Sequence, residues 1–210
     1  MKFTFGICAS TDKFLPSIIE SIESSVPAGD REILVVGASS SGARTIPFDE
    51  AQRAAWITRK KNLIASEASN PIIVVMHDYV RLLPGWYESY ESFGDDWDVC
   101  TNVVRKQDGT RAFDWFAIDY KQWLGPNLVD YSVPDIRGHM YPAGNYFLAK
   151  TEFLRANPLD ESLVWGQNED LKWMKGVCHR WNYRFNRGAE VQYMRPHHHS
   201  PNYSVLITKP

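Results

Sequence analysis

Ile72-Ile73-Val74-Val75-Met76-His77-Asp78-Tyr79 runs five apolar residues without interruption and then turns abruptly polar. A run this short, apolar at every position, reads as a strand buried on both faces, as in a parallel sheet. Open α/β folds place their ligands at the ends of such strands. His77 and Asp78 are therefore expected where a metal or a phosphate is held. The plainer alternative is an Asp that caps the turn after the strand.

The flanking sequence extends the pattern toward the N-terminus. Phe3 to Cys8 reads as a first strand, followed by the polar turn Ala9-Ser10-Thr11-Asp12. Leu15, Ile18, Ile19 and Ile22 recur at i, i+3, i+4 and i+7, which predicts a helix with one buried face, and Pro16 suits its first turn. Glu32 to Val36 is a second buried strand, closed by Gly37 and a Ser/Gly loop through Gly42. Glu50 to Ser69 is expected to be helical, with Ala54, Ile57, Ile64, Ala65 and Ala68 near one face. Strand, helix, strand, helix, strand is the doubly wound arrangement, with a crevice at the strand ends.

The second half is less regular. A short helix begins at Pro84-Gly85-Trp86-Tyr87, and Asp98 to Val104 alternates like a strand. Lys106 to Met140, rich in Trp, Tyr, Asp and Gly, shows no period and reads as a long, partly ordered insertion near the site. Asn145 to Lys150 is a further strand, Asn168 is placed to cap a helix, and Val191 to Met194 is a last strand. No linker or repeat interrupts the chain. We read residues 1–210 as one domain, with 1–104 as a nucleotide-binding half and 105–210 as a half for acceptor and donor sugar.

Bulk composition excludes several classes. The 210 residues are 44% hydrophobic and 23% charged, as in ordinary soluble domains. A net charge of -2 gives no electrostatic case for nucleic acid. No window approaches the roughly 20 apolar residues that span a bilayer. The N-terminus lacks the apolar core and cleavage site of a signal peptide. Cys8, Cys100 and Cys178 fit neither a metal ribbon nor a disulfide framework, which suggests a reducing cytoplasm.

Four constellations carry possible chemistry. His77-Asp78-Tyr79 offers a carboxylate at a strand end for a hard divalent cation, which would neutralise a diphosphate. Arg59-Lys60-Lys61-Asn62 is either a solvated helix face or a base-and-Asn pair aimed at a nucleotide. In Trp165-Gly166-Gln167-Asn168-Glu169-Asp170 two carboxylates open a helix. They either complement its dipole or include the group that deprotonates an acceptor hydroxyl, with Trp165 as a platform for a sugar ring. His197-His198-His199 is either a surface tail or a source of metal ligands. Extended chain there puts His197 and His199 on one side, where one of them would complete coordination begun by Asp78.

Taken together these pieces resemble a GT-A fold glycosyltransferase of the family 2 type: a Rossmann-like, mostly parallel central sheet flanked by helices, with an irregular acceptor-side insertion. Phe5-Gly6-Ile7-Cys8-Ala9-Ser10 resembles the first nucleotide-binding strand, Glu32 to Val36 the second, and Arg59 to Asn62 the basic-Asn element. Met76 to Tyr79 resembles a variant of the Asp-x-Asp motif, and Tyr141 to Tyr146 the small-residue segment before the donor-sugar strand. Pro158-Leu159-Asp160-Glu161 resembles the Phe-Asp-Glu segment, and Trp165 to Asp170 the Glu-Asp segment. The resemblance implies that Asp170 is the base, with Glu169 as the alternative, and that Asp78 binds Mn²⁺ or Mg²⁺ with His197 or His199. It implies that Ala9, Ser10, Asp12, Gly37, Arg59, Lys61, Asn62, His77, Gly144 and Asn145 surround the nucleotide and donor sugar. Trp165, Asp114 and Trp115 are then the acceptor candidates.

The implied reaction moves a sugar from a UDP- or GDP-linked donor to a glycan, lipid-linked or other hydroxyl acceptor. It would invert the anomeric centre, with retention as the alternative the family also allows, and take place in the cytoplasm or at the membrane periphery during surface-glycan synthesis. Two departures stand out: Gly37 occupies a position where the family has an acidic residue, and the metal motif keeps one carboxylate. A silent glycan- or partner-binding module and a sugar-nucleotide nucleotidyltransferase are the rival readings.

Overall fold

The computed structural model describes residues 1–120, 123–134, 139–196 and 206–207. Its main sheet is built around the quoted run. β4 (Ile72–His77) lies parallel to β1 (Phe3–Cys8), in a register that sets His77 beside Cys8. β2 (Arg31–Val36) runs parallel to β1 on its other side, and the short β3 (Arg44–Ile46) extends that edge. Every residue of β1 and β4 is buried. The reason is visible in the two cores. Ile72, Val74 and Met76 pack with Phe3, Phe5 and Ile7 under α1 (Leu15–Ser25) and α3 (Trp86–Phe93). Ile73 and Val75 pack on the opposite face with Ile64, Phe147, Trp173 and Met174. Each alternate residue of the strand thus feeds a different core, at about 1.5–3 kcal/mol per buried side chain.

Beyond β4 the sheet changes direction. β5 (Val80–Leu82), β6 (Val99–Arg105), β10 (Tyr146–Lys150) and β11 (Tyr183–Tyr193) complete an eight-stranded order β3-β2-β1-β4-β10-β6-β11-β5. β10 is antiparallel to both of its neighbours, β4 and β6, whereas β11 is parallel to β6. A second sheet orders β12-β8-β7-β9, from β7 (Trp115–Tyr120), β8 (Trp123–Val129), β9 (Met140–Pro142) and β12 (Leu206–Ile207). Helices α2 (Ile57–Glu67), α4 (Thr151–Ala156) and α5 (Glu169–Val177) complete the fold. Among the described residues no helix is long and apolar enough to cross a membrane.

Several expectations need correction. The insertion over 106–140 is not irregular: it builds most of the second sheet. Its Trp115-Phe116-Ala117-Ile118 run is buried throughout, so no alternation marks it as a strand. The helix expected from Glu50 starts at Ile57, because residues 50–56 form turns in which Ala55 takes a left-handed φ of 56°. β11 begins eight residues before the expected Val191. A bulge between Asn186 and Glu190 breaks its apolar pattern. Asn168 does precede α5, but with φ 55° and no capping hydrogen bond from its side chain.

Candidate active site

The carboxyl ends of β1, β2 and β4 meet at one edge, and backbone hydrogen bonding fixes the loop that follows β1. Ala9 N–H donates to the Val36 carbonyl at 2.9 Å, and Asp78 N–H to the Cys8 carbonyl at 3.2 Å. Asp78 Oδ2 in turn accepts Ser10 N–H at 2.8 Å and Thr11 N–H at 3.2 Å. Asp12 is exposed and its carbonyl accepts the Leu15 N–H that opens α1. Asp78 therefore does structural work with one oxygen, holding the first loop against the fourth strand.

The basic segment enters this edge by an unexpected residue. Lys60 is buried, and its Nζ donates to the Ala9 carbonyl at 2.6 Å and to the Glu50 carboxylate, over the Phe48 ring. Gly37 is needed beside it. Its φ is +105°, and a Cβ there would sit 2.3 Å from the Ala9 carbonyl oxygen and 2.7 Å from Lys60 Nζ. Where the resemblance leads one to expect an acid, the negative charge near this spot is Glu50, brought in by Lys60. Cys8 lies beneath. Burial pushes its thiol up to about 12 against the opposing pull of Lys61 and Lys60, which leaves it unreactive.

The Glu-Asp pair lies across the edge. Asp170 Oδ2 accepts the Gly144 N–H at 3.0 Å, and Oδ1 accepts Leu171 N–H at 2.7 Å. Gly144 leaves room for this approach, because a Cβ there would lie 2.5 Å from Asp170 Oδ2. Glu169 points elsewhere. It is buried, with Lys61 Nζ 4.0 Å from its carboxylate. Burial raises its pKa and the neighbouring Asp170 adds to the rise, with Lys61 pulling the other way. The pair thus divides as helix geometry requires, one side chain inward and one toward the edge.

Arg59 and Asn62 do not meet that edge. Arg59 pairs with Glu161 at 3.0 Å, and Asn62 bonds Glu161 and both backbone groups of Leu159. Together with Trp56 and Thr58 they clamp the segment leading into α5. Trp165 in that segment is 59% exposed, and its N–H donates to the Ala55 carbonyl at 2.9 Å. On the far side of Asp78, the Asn145 carbonyl accepts His77 N–H at 3.0 Å, and Asn145 Nδ2 donates to Tyr193 Oη at 2.6 Å. His77 packs edge-on to Tyr79, and the Arg195 guanidinium lies 3.7 Å above the Tyr79 ring.

Asp114 and Trp115, expected at the acceptor, are both fully buried. Asp114 is filled by Arg111, the N–H groups of Val104 and Trp115, and the Tyr131 hydroxyl, while Trp115 stacks on Phe185 at 4.7 Å. His197 and His199 lie outside the described residues. Among the described residues no group of three or more His, Cys, Asp or Glu is placed to hold a metal. A lone Asp78 carboxylate does not make a closed site. It fits a cation of the Mg²⁺ kind, which one or two carboxylates hold together with substrate phosphates.

Sequence reasoning did not reach Glu50, Tyr193 or Arg195, and it named Lys60 and Tyr79 only as members of their motifs. Lys60 had a usable signal: Ile57, Ile64 and Ala65 set a helical stripe on which positions 60 and 61 both fall. A surface groove of about 660 Å³ lies elsewhere, among Glu23, Arg31, Tyr87 and Glu91, and shares no residue with this edge.

No protein-family model matches the sequence, and no curated protein sequence matches it. Solved structures do match its fold. GalNAc-T7 with UDP, GalNAc and Mn²⁺ superposes with a TM-score of 0.67 at 11% identity, over 94% of this chain and 44% of that one. Residues 1–349 of Staphylococcus aureus TarS give a TM-score of 0.64 at 13% identity, over 92% of this chain and 60% of that one. The same TarS piece in complex with UDP-GlcNAc gives 0.58 at 14% identity. The chain thus spans less than two thirds of the structures it matches, and it has the GT-A glycosyltransferase fold.

Proposed function

We propose that this GT-A-fold chain is a glycosyltransferase that moves a sugar from a nucleoside diphosphate sugar to a hydroxyl acceptor. The observation that carries the reading is Asp170, a carboxylate at the start of α5 held against Gly144 N–H at the edge where β1 and β4 end. The UDP and UDP-GlcNAc in the matched structures support a UDP-linked donor. In this reading the loop after β1, Gly37, and the Lys60–Glu50 pair face the nucleotide. Asn145, backed from the core by the buried Tyr79 and Tyr193, faces the donor sugar, and Trp165 offers its exposed ring to the acceptor.

Asp170 takes the proton of the acceptor hydroxyl. That oxygen bonds to the anomeric carbon as the carbon–oxygen bond to the diphosphate breaks, and the diphosphate leaves with the electron pair. A single displacement of this kind inverts the anomeric centre. Asp78 would hold a divalent ion, Mn²⁺ or Mg²⁺, with His197 or His199, and the ion would supply positive charge to the departing diphosphate. We place the chain as one domain with a donor half and an acceptor half, acting in surface-glycan synthesis in the cytoplasm or at the membrane periphery.

The test is a thermal-shift screen of UDP and GDP with and without Mn²⁺, followed by turnover with the matching nucleotide sugars. Asp170→Asn should retain donor binding and lose transfer by about 10²–10⁴-fold, as removal of a general base does. Absence of stabilisation by any nucleotide refutes the reading. Nucleotide binding without turnover would favour a silent glycan-binding module, a reading supported by the structural engagement of Asp78 Oδ2.

A further inference from the structure

Lys61 has no place in the nucleotide contacts just described. It is fully buried, and its Nζ has no hydrogen-bond partner among the described residues. An ammonium stripped of water this way is costly unless a counter-charge answers it. Its ion-pair partner is Glu169, whose side chain is only 7% exposed, at 4.0 Å, with the Phe147 ring on another side. Glu169 is thus covered by the protein, whereas the next residue, Asp170, reaches the edge at Gly144.

The same helix grips the approach to α5 a second time. Thr58 and Asn62 of α2, with Arg53 and Trp56 before it, bond the backbone of residues 159–163. Ala55 and Asn168 are the non-glycine residues with positive φ among the described residues. One lends its carbonyl to Trp165 and the other immediately precedes Glu169. Strained backbone of this kind persists where surrounding contacts hold it. α2 therefore anchors the segment before α5 by its loop and the first turn of α5 by a buried charge.

We infer that Glu169 is a positioning residue, its carboxylate held by the Lys61 ammonium so that the first turn of α5 presents Asp170 at Gly144. The inference rests on the glycosyltransferase reading. It assigns the proton transfer to Asp170 alone and gives the acid beside it a different task.

The test compares wild type, Lys61→Met, Glu169→Gln and the double variant. The readouts are UDP affinity, kcat and KM, the pH profile of kcat, and Tm. Glu169→Gln should lower kcat by about 10–100-fold through displacement of Asp170, keep UDP affinity within about twofold, and keep the acidic limb of the pH profile. The double variant should be no worse than Lys61→Met alone, because both changes break one pair. Loss of the acidic limb in Glu169→Gln, or losses that multiply in the double variant, overturns the inference. If Lys61→Met does not fold, the pH profile of Glu169→Gln decides by itself. A wild-type chain that binds no nucleotide and turns over no donor ends the glycosyltransferase reading and this inference with it. Wild-type rates in all four proteins end the inference alone.

Discussion

Gly144→Ala isolates the placement of Asp170 from its chemistry. The φ of Gly144 lies outside the left-handed range, so the substitution tests space and not backbone freedom. The new Cβ would meet Asp170 Oδ2 and Cβ at 2.5 Å and Cγ at 2.8 Å. Restoring ordinary contact at 3.4 Å requires the carboxylate to retreat by about 0.9 Å, and a misplacement near 1 Å costs about 10²-fold in rate. The retreat also stretches the Gly144 N–H bond, now 3.0 Å. Overpacking of this size costs about 1–3 kcal/mol, a Tm loss of several degrees for a chain this long. The expected result is kcat down by about 10²-fold with UDP affinity within about twofold of wild type, read by turnover and calorimetry. Wild-type kcat in a folded Gly144→Ala variant, with Asp170→Asn inactive, would refute the argument that this contact sets the base.

Asp78→Ala should abolish any Mn²⁺-dependent gain in UDP or GDP affinity and lower Tm, since Ser10 and Thr11 N–H lose a charged acceptor worth about 1.5–3 kcal/mol. Titration calorimetry with and without Mn²⁺ checks it, and an unchanged metal effect removes Asp78 as the anchor. Trp165→Ala should raise acceptor KM with Tm unchanged, because the ring is exposed and packs little; equal KM in both proteins removes the platform. Glu32, though burial raises its pKa, is held below the ordinary carboxylate value by hydrogen bonds from Thr4 and Ser69. Its contribution to stability is present at neutral pH and is lost as pH falls through the folded pKa. Tm measured from pH 7 down to 3 should therefore fall less in Glu32→Gln than in wild type.

How much of this was legible depended on whether one residue's neighbours in sequence were also its neighbours in space. β1, β4 and α1 could be read because their apolar spacing reports burial directly. β3 and β5, three residues each, carry too few positions for any period. The smaller sheet escaped because Trp115 to Ile118 is buried throughout and its polar flanks suggested a loop. At the edge itself, the placement of Asp78 and the split between Glu169 and Asp170 followed from strand ends and helix phase. The approach of Glu50 to Gly37 by way of Lys60, and the closed burial of Asp114, follow from contacts across the fold that no local pattern encodes.

The reversed strand β10 has a mechanical consequence. Because it runs against β4, it starts at the edge where β1 and β4 finish, and residues 143–145 alone join it to β9 of the smaller sheet. None of the three is slack. Ala143 accepts the Tyr146 N–H, Gly144 holds Asp170, and Asn145 holds His77 and Tyr193. The smaller sheet, which also packs on the main one through Trp115 and Phe185, is therefore tied to Asp170 by three residues. In the proposed reaction, any shift of that sheet would be felt at Asp170 through Gly144, and lengthening the tie by one residue would loosen that link.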